Sequence, residues 1–236
     1  MSTPRVASTT LALLMLAACA SVDPGGVAGP PAGAPTFNVG DTWVYAARDG
    51  FRAPVVWEER HEVTAVGPHG IVVRVRARGP QINVERTERW IAPGVVASGA
   101  VYAFETKRFD PPIVRYRYPL VMGETWSQRL RDIDQESGPY GMIQRYTSVG
   151  GYERITTPAG TFDTIRLRVF MRLDDETFWR TPTECSYLVW YAPALGVSVR
   201  EEREGEYREK GDVRDPFATI RVQHAELTLV SHTRKR

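Results

Sequence analysis

Residues 165–173 read Ile-Arg-Leu-Arg-Val-Phe-Met-Arg-Leu, and residues 71–78 read Ile-Val-Val-Arg-Val-Arg-Ala-Arg. In both, the odd positions are apolar and most even positions are arginine. Successive side chains of a strand point to opposite faces, so each stretch predicts a strand with one dry and one wet side. A helix would scatter the same arginines around its whole circumference. Strands are further predicted over 43–48, 55–66, 84–91, 95–104, 113–118, 143–149, 184–192, 197–207 and 219–230. Gly67-Pro68, Gly79-Pro80, Pro93-Gly94, Pro111-Pro112 and Gly138-Pro139 separate them as breakers. Short strands with turn signals at this spacing predict an antiparallel all-β fold. Trp126, Leu130 and Ile133 have helical spacing, but the repeat described next favours a strand there. Thr157-Pro158-Ala159-Gly160 predicts a tight turn that joins a strand near Tyr152–Thr156 to the long one from Phe162.

Several blocks occur twice in the same order. Gly40-Asp41-Thr42-Trp43 matches Gly123-Glu124-Thr125-Trp126, and Thr64-Ala65-Val66-Gly67 matches Thr147-Ser148-Val149-Gly150. Ile71–Val75 matches Ile165–Val169, and Trp90-Ile91-Ala92-Pro93 matches Trp190-Tyr191-Ala192-Pro193. Between the second and third blocks the later copy carries the extra stretch YERITTPAGTF. The chain therefore reads as two pseudo-repeated β-meander units, about 37–120 and 121–236. They are expected to form an open barrel or a wrapped sheet or sandwich.

The N-terminus reads as an export signal. Arg5 precedes an apolar run, Leu11–Ala18, that is shorter than the roughly 20 residues needed to span a bilayer. Leu16-Ala17-Ala18-Cys19 resembles the lipobox of bacterial lipoproteins. That resemblance implies a signal peptide of residues 1–18, lipidation of Cys19 and membrane attachment through the acyl chains. Ala20, not Asp, follows the cysteine, which implies an outer-membrane address facing the periplasm. Ala18-Cys19-Ala20 also fits ordinary signal peptidase, which would leave a soluble periplasmic protein. Residues 19–36, rich in Gly, Pro and Ala, read as a coil-like tether ahead of a β domain at 37–236.

Lys and Arg total 30 and Asp and Glu 28. That balance lacks the uncompensated cations of a nucleic-acid binder. Cys185 is left without an intramolecular partner if Cys19 is lipidated, and reads as a core cysteine. The four histidines, His61, His69, His224 and His232, form no H-E-x-x-H, and the chain has no C-x-x-C, G-x-S-x-G or Gly-rich phosphate loop. Asp132-Ile133-Asp134 begins like a calcium loop but lacks its glycine and its final glutamate. No catalytic residue, metal site or cofactor is assigned. The run Arg200–Gly211 alternates in charge sign and reads as a solvated hairpin or loop. Trp43, Trp90, Trp126 and Trp190 are expected in the dry core, or lining a groove that holds an apolar, acyl-type ligand.

The stretch Thr157–Arg166, with Trp190–Val197 and Gly40–Tyr45, resembles a family of exported bacterial proteins of unknown function. Its signature is P-A-G-T-F-[DE]-x-[IV]-[RK] entering a long strand. The resemblance implies a β-rich envelope domain and carries no activity. More distantly, such meanders are similar to the open, clam-like barrels of lipoprotein carriers. Three readings follow: a non-catalytic anchored lipoprotein that binds or senses an apolar molecule, an adaptor subunit of an outer-membrane or secretion assembly, and a hydrolase without a recognisable motif. A hollow interior favours the first and a packed one the second.

Overall fold

The computed structural model describes residues 26–102, 104–134, 140–174, 177–210 and 219–235. The signal segment and Cys19 lie outside these residues. Twelve antiparallel strands form one sheet: β1 Thr42–Asp49, β2 Val55–Gly67, β3 Gly70–Arg78, β4 Asn83–Ala92, β5 Val95–Gly99, β6 Lys107–Val114, β7 Thr125–Asp134, β8 Tyr140–Thr157, β9 Gly160–Asp174, β10 Thr183–Ala192, β11 Val197–Arg208 and β12 Thr219–Thr233. Each pairs with its sequence neighbours, and β12 pairs with β1, so the sheet closes on itself. The expected open barrel is thus replaced by a closed one, and the alternative of a layered sandwich is excluded with it. Closure removes every unpaired edge.

What the sequence hid was the closing contact. Strand β6 runs through both Pro111 and Pro112, which read as breakers. Only Lys107–Asp110 pairs with β7, against Asp134–Arg131. Proline cannot donate to a ladder, so below Asp110 side chains replace backbone. Gln128 Oε1 accepts from Val114 N (2.8 Å), Gln128 Nε2 donates to Pro112 O (3.2 Å), and Trp126 Nε1 donates to Val114 O (3.2 Å). By contrast β12 and β1 share eight pairs with one register shift.

The period-two strands sit as predicted. On β3, Ile71, Val73, Val75 and Ala77 are buried, while Arg76 and Arg78 reach Glu85 outside. On β9, Ile165, Leu167, Val169 and Met171 are buried. The stretch at Trp126 is a strand, not a helix. The outer face carries ion pairs such as Arg76–Glu85 and Arg154–Asp163, unlike the lipid-facing belt of a membrane-spanning barrel, which tolerates charge poorly. Its outer wall is built for water.

The matched blocks fall on strands six apart: β1 and β7, β2 and β8, β3 and β9, β4 and β10. Gly40 (φ 90°) and Gly123 (φ 87°) both take the left-handed turn that glycine permits. Gly40 N donates to Val63 O and Gly123 N to Val149 O, at 2.8 and 2.9 Å. The structural counterpart of Val149 is therefore Val63, three residues from the Val66 that the ungapped sequence match gave. Likewise Ile71 pairs with Trp90, while Ile165 pairs with Tyr191, one residue beyond Trp190. The β9–β10 ladder runs unbroken through both residues, so the offset lies in the register of the two strands.

The sequence expected separate strands near 143–149 and 152–156; one strand, β8, carries both across a register shift between Val149 and Tyr152. Its hairpin with β9 turns through Pro158 and Ala159. The tip reaches β12, where Ala159 N donates to Leu229 O (3.4 Å). The extra stretch of the second half is thus an extended hairpin.

The tether also differs from a free coil. Val27 pairs with Tyr152 and Ala32 with Leu120 through reciprocal backbone bonds of 2.7–3.0 Å. Ala32 is buried. From residue 27 onward the segment is a strap against the barrel, because its Gly, Pro and Ala are small enough to lie close to the wall.

Candidate functional site

A barrel of eight strands has an interior that side chains just fill, and more strands leave a lumen. Here twelve strands enclose a cavity of about 440 Å³, within the size range of small-molecule sites. The lower end is where β1 begins. Phe37 closes it, with ring centroids 6.0 Å from Trp43 and 5.5 Å from Trp90. Beside it Tyr116, Tyr118 and Tyr191 cluster, and Tyr118 donates to the Tyr191 hydroxyl (2.9 Å). At the opposite rim the cavity is lined by Phe51 and Arg221, which are 57% exposed and 60% exposed in the side chain. The mouth lies there.

The tryptophans divide. Trp43 and Trp90 line the cavity, joined by Trp57. Trp126 sits at the β6–β7 seam instead. Trp190, on the phase of β10 opposite to the cavity-lining Tyr187 and Val189, gives its Nε1 hydrogen to Glu153 (3.0 Å) with Arg200 above its ring (5.3 Å). Neither lines the cavity.

The cavity wall also carries charge that the sequence reading missed. Strand β2 turns Glu59 and His61 inward, β4 turns Arg86 and Glu88, and β8 turns Arg145; Arg115, just past β6, lines the cavity with them. The run Arg200–Gly211, expected to be a solvated hairpin or loop, is in its first part strand β11. There Glu201 and Arg203 line the cavity. The signal was available as phase: Val197 and Val199 face inward, so 201 and 203 follow.

Each carboxylate is held by cations and donors. Glu59 Oε1 faces His61 Nε2 at 2.9 Å and accepts from Arg86 Nη2 at 3.3 Å. Glu88 accepts from Arg115 at 2.9 and 3.2 Å and from Trp90 Nε1 at 2.9 Å. Glu201 accepts from Arg203 Nε (2.8 Å) and from Ser198 Oγ (2.6 Å). Burial pushes the Glu88 carboxyl up, but Arg115, Arg86 and the donated bonds outweigh it and hold the group at about 2. Glu59 is likewise buried, yet His61 and Arg86 hold it well below the usual carboxylate range. Neither is a proton donor near neutral pH. Arg145 differs. Nη1 donates to Val114 O (2.8 Å) and Nη2 to Arg115 O (3.4 Å). Burial and the neighbouring Arg115 charge pull its guanidinium down to about 10, still charged at neutral pH.

His61 is stacked on Trp43 (5.2 Å). His224 lies at the mouth against Phe51 (4.0 Å). No group of three or more His, Cys, Asp or Glu side chains among the described residues could hold a metal. Cys185 is fully buried, as a core cysteine should be. Burial pushes its thiol up to about 12. Folded protein is therefore expected to resist an aromatic disulfide reagent at pH 8 by about a hundredfold or more relative to a free thiol. Full reaction should appear only in denaturant; rapid labelling of native protein would contradict this placement.

No protein-family model matches the chain, and no curated protein matches it. Solved structures do. A candidate lipoprotein of Parabacteroides distasonis superposes with a TM-score of 0.51 at 14% identity, covering 87% of this chain and all (100%) of that one. A candidate exported protein of Bacteroides fragilis, described as having a YmcC-like fold, superposes at 0.51 and 12% identity with the same coverage, 87% and 100%. At these identities the likeness is one of fold.

Proposed function

We propose that this chain is a non-catalytic, membrane-anchored envelope lipoprotein whose barrel holds an apolar or amphipathic small molecule. The observation that carries the reading is the hollow interior: about 440 Å³ enclosed by Trp43, Trp57, Trp90 and aliphatic side chains. An adaptor subunit would need only a filled barrel. The lipobox-like Leu16–Cys19 and the water-compatible outer wall support an anchored but aqueous domain. The names of the two fold relatives are consistent with export. The strap gives orientation. Six residues lie between Cys19 and Gly26, a span of at most about 25 Å when fully extended. The strap runs to the lower end, so the mouth faces away from the anchoring membrane. The match of strands six apart also supports descent from a duplicated six-strand unit.

Uptake of the apolar fluorophore N-phenyl-1-naphthylamine tests the chamber. One saturable site per chain is expected. Ala225 is buried and faces the cavity. Ala225→Phe should fill part of the space and weaken uptake by about tenfold or more, while the variant still melts cooperatively. Undiminished uptake in that variant would place the probe elsewhere and count against the chamber.

A further inference from the structure

The ionic groups of the cavity do not balance. Arg86, Arg115, Arg145 and Arg203, with Arg221 at the rim, face Glu59, Glu88 and Glu201, with Asp49 at the rim. Each carboxylate is already engaged: Glu59 by Arg86, Glu88 by Arg115, Glu201 by Arg203. Arg145 is the guanidinium left over. It is 6% exposed, and no carboxylate forms an ion pair with it among the described residues. Its two hydrogen bonds go to main-chain carbonyls of the β6–β7 seam. Those carbonyls satisfy donors but supply no countercharge, and a buried charge without one is costly. Bracing the seam does not require a cation, since neutral Gln128 does the same a few residues away. Donors are also in surplus elsewhere on the wall. Arg86 Nε and Nη1 are buried without a hydrogen-bond partner in the protein, and a guanidinium can only donate.

We propose that the cavity's ligand is an amphipathic anion, whose single negatively charged head neutralises Arg145 and whose apolar body lies against Trp43, Trp57, Val169 and Leu227. This rests on the reading of the cavity as a ligand chamber. The head is of carboxylate or phosphate type, because both accept the paired hydrogens of a guanidinium. Three of the named wall residues are supplied by β1, β2 and β12, and Val169 comes from β9, next to the β8 strand that carries Arg145. Head and body thus have separate surfaces within one space.

The test compares dodecanoate, dodecyl phosphate and dodecanol, which share a chain and differ in the head. Binding to the full chain at neutral pH is read by displacement of the naphthylamine probe and by tryptophan fluorescence. At least one of the two anions should bind about tenfold or more tighter than the alcohol, and the tighter one identifies the head. In Arg145→Met that preference should largely disappear while dodecanol affinity stays within about twofold. Arg145→Lys should retain part of it. Equal affinity of all three ligands for the unmodified protein would overturn the inference with no variant needed. So would an anion preference that survives in a folded Arg145→Met. Dodecanol binding without anion preference would defeat only this inference, whereas failure of all three to bind would defeat the chamber as well.

Discussion

Glu88→Gln is expected to destabilise the barrel by about 3–5 kcal/mol, the cost of removing one partner from a buried ion pair. Glu88 is 1% exposed and lies between Arg115 and Arg86, with Trp90 donating to it. The amide keeps the shape and removes the charge, so two guanidinium groups lose their common counterion. For a domain of this size the melting temperature should fall by roughly 10 °C or more. The informative companion is Glu88→Leu combined with Arg115→Met. A buried pair replaced by apolar groups of similar volume is often neutral, so the double variant should be clearly more stable than either single one. Additive losses in the cycle would show that the pair is not coupled and that the wall's ionic network is misassigned.

The same network dictates how the fold responds to acid. Glu88 is held at about 2 when folded, against its ordinary value of 4.5, and Glu59 is displaced in the same direction. A carboxyl with a depressed folded value contributes stability that is complete above its unfolded value. That contribution is lost as pH falls through the folded one. For Glu88 alone it is about 3 kcal/mol, so the melting temperature should be level above pH 5 and fall steeply between pH 5 and 2. In Glu88→Gln the fall over that window should be visibly shallower, because the group that titrates is gone. A wild-type melting curve unchanged down to pH 2.5 would contradict the buried pairing. Thermal melts monitored by circular dichroism at several pH values are sufficient.

The strands were legible where one phase of the alternation is apolar throughout, as at Ile71–Arg78 and Ile165–Leu173. The interior charge was not. On β11 both phases are charged, since Arg200 and Glu202 alternate with Glu201 and Arg203. Hydropathy then offers no reason to place either phase inside, and the run resembles a solvated loop. Extending the phase of Val197 and Val199 would have placed Glu201 and Arg203 correctly. The same extension from Val63 reaches His61 and Glu59, and from Trp90 it reaches Glu88 and Arg86.

Closure was hidden for a different reason. It depends on four pairs between Lys107–Asp110 and Arg131–Asp134, polar segments with no clean period. Two prolines adjacent to one of them argued against a strand at all. Of the four tryptophans, Trp43 and Trp90 line the cavity. Trp190 falls on the phase of β10 opposite to Tyr187 and Val189, which line the cavity.

A ligand chamber differs from a structural void in being occupied. Native mass spectrometry of the protein, extracted gently from the cells that produce it, reads that occupancy. One small amphiphile per chain is expected, retained in mild activation and released as a discrete mass. A protein that appears only at its bare mass, from extracts where control lipid binders keep their ligands, would contradict an occupied chamber.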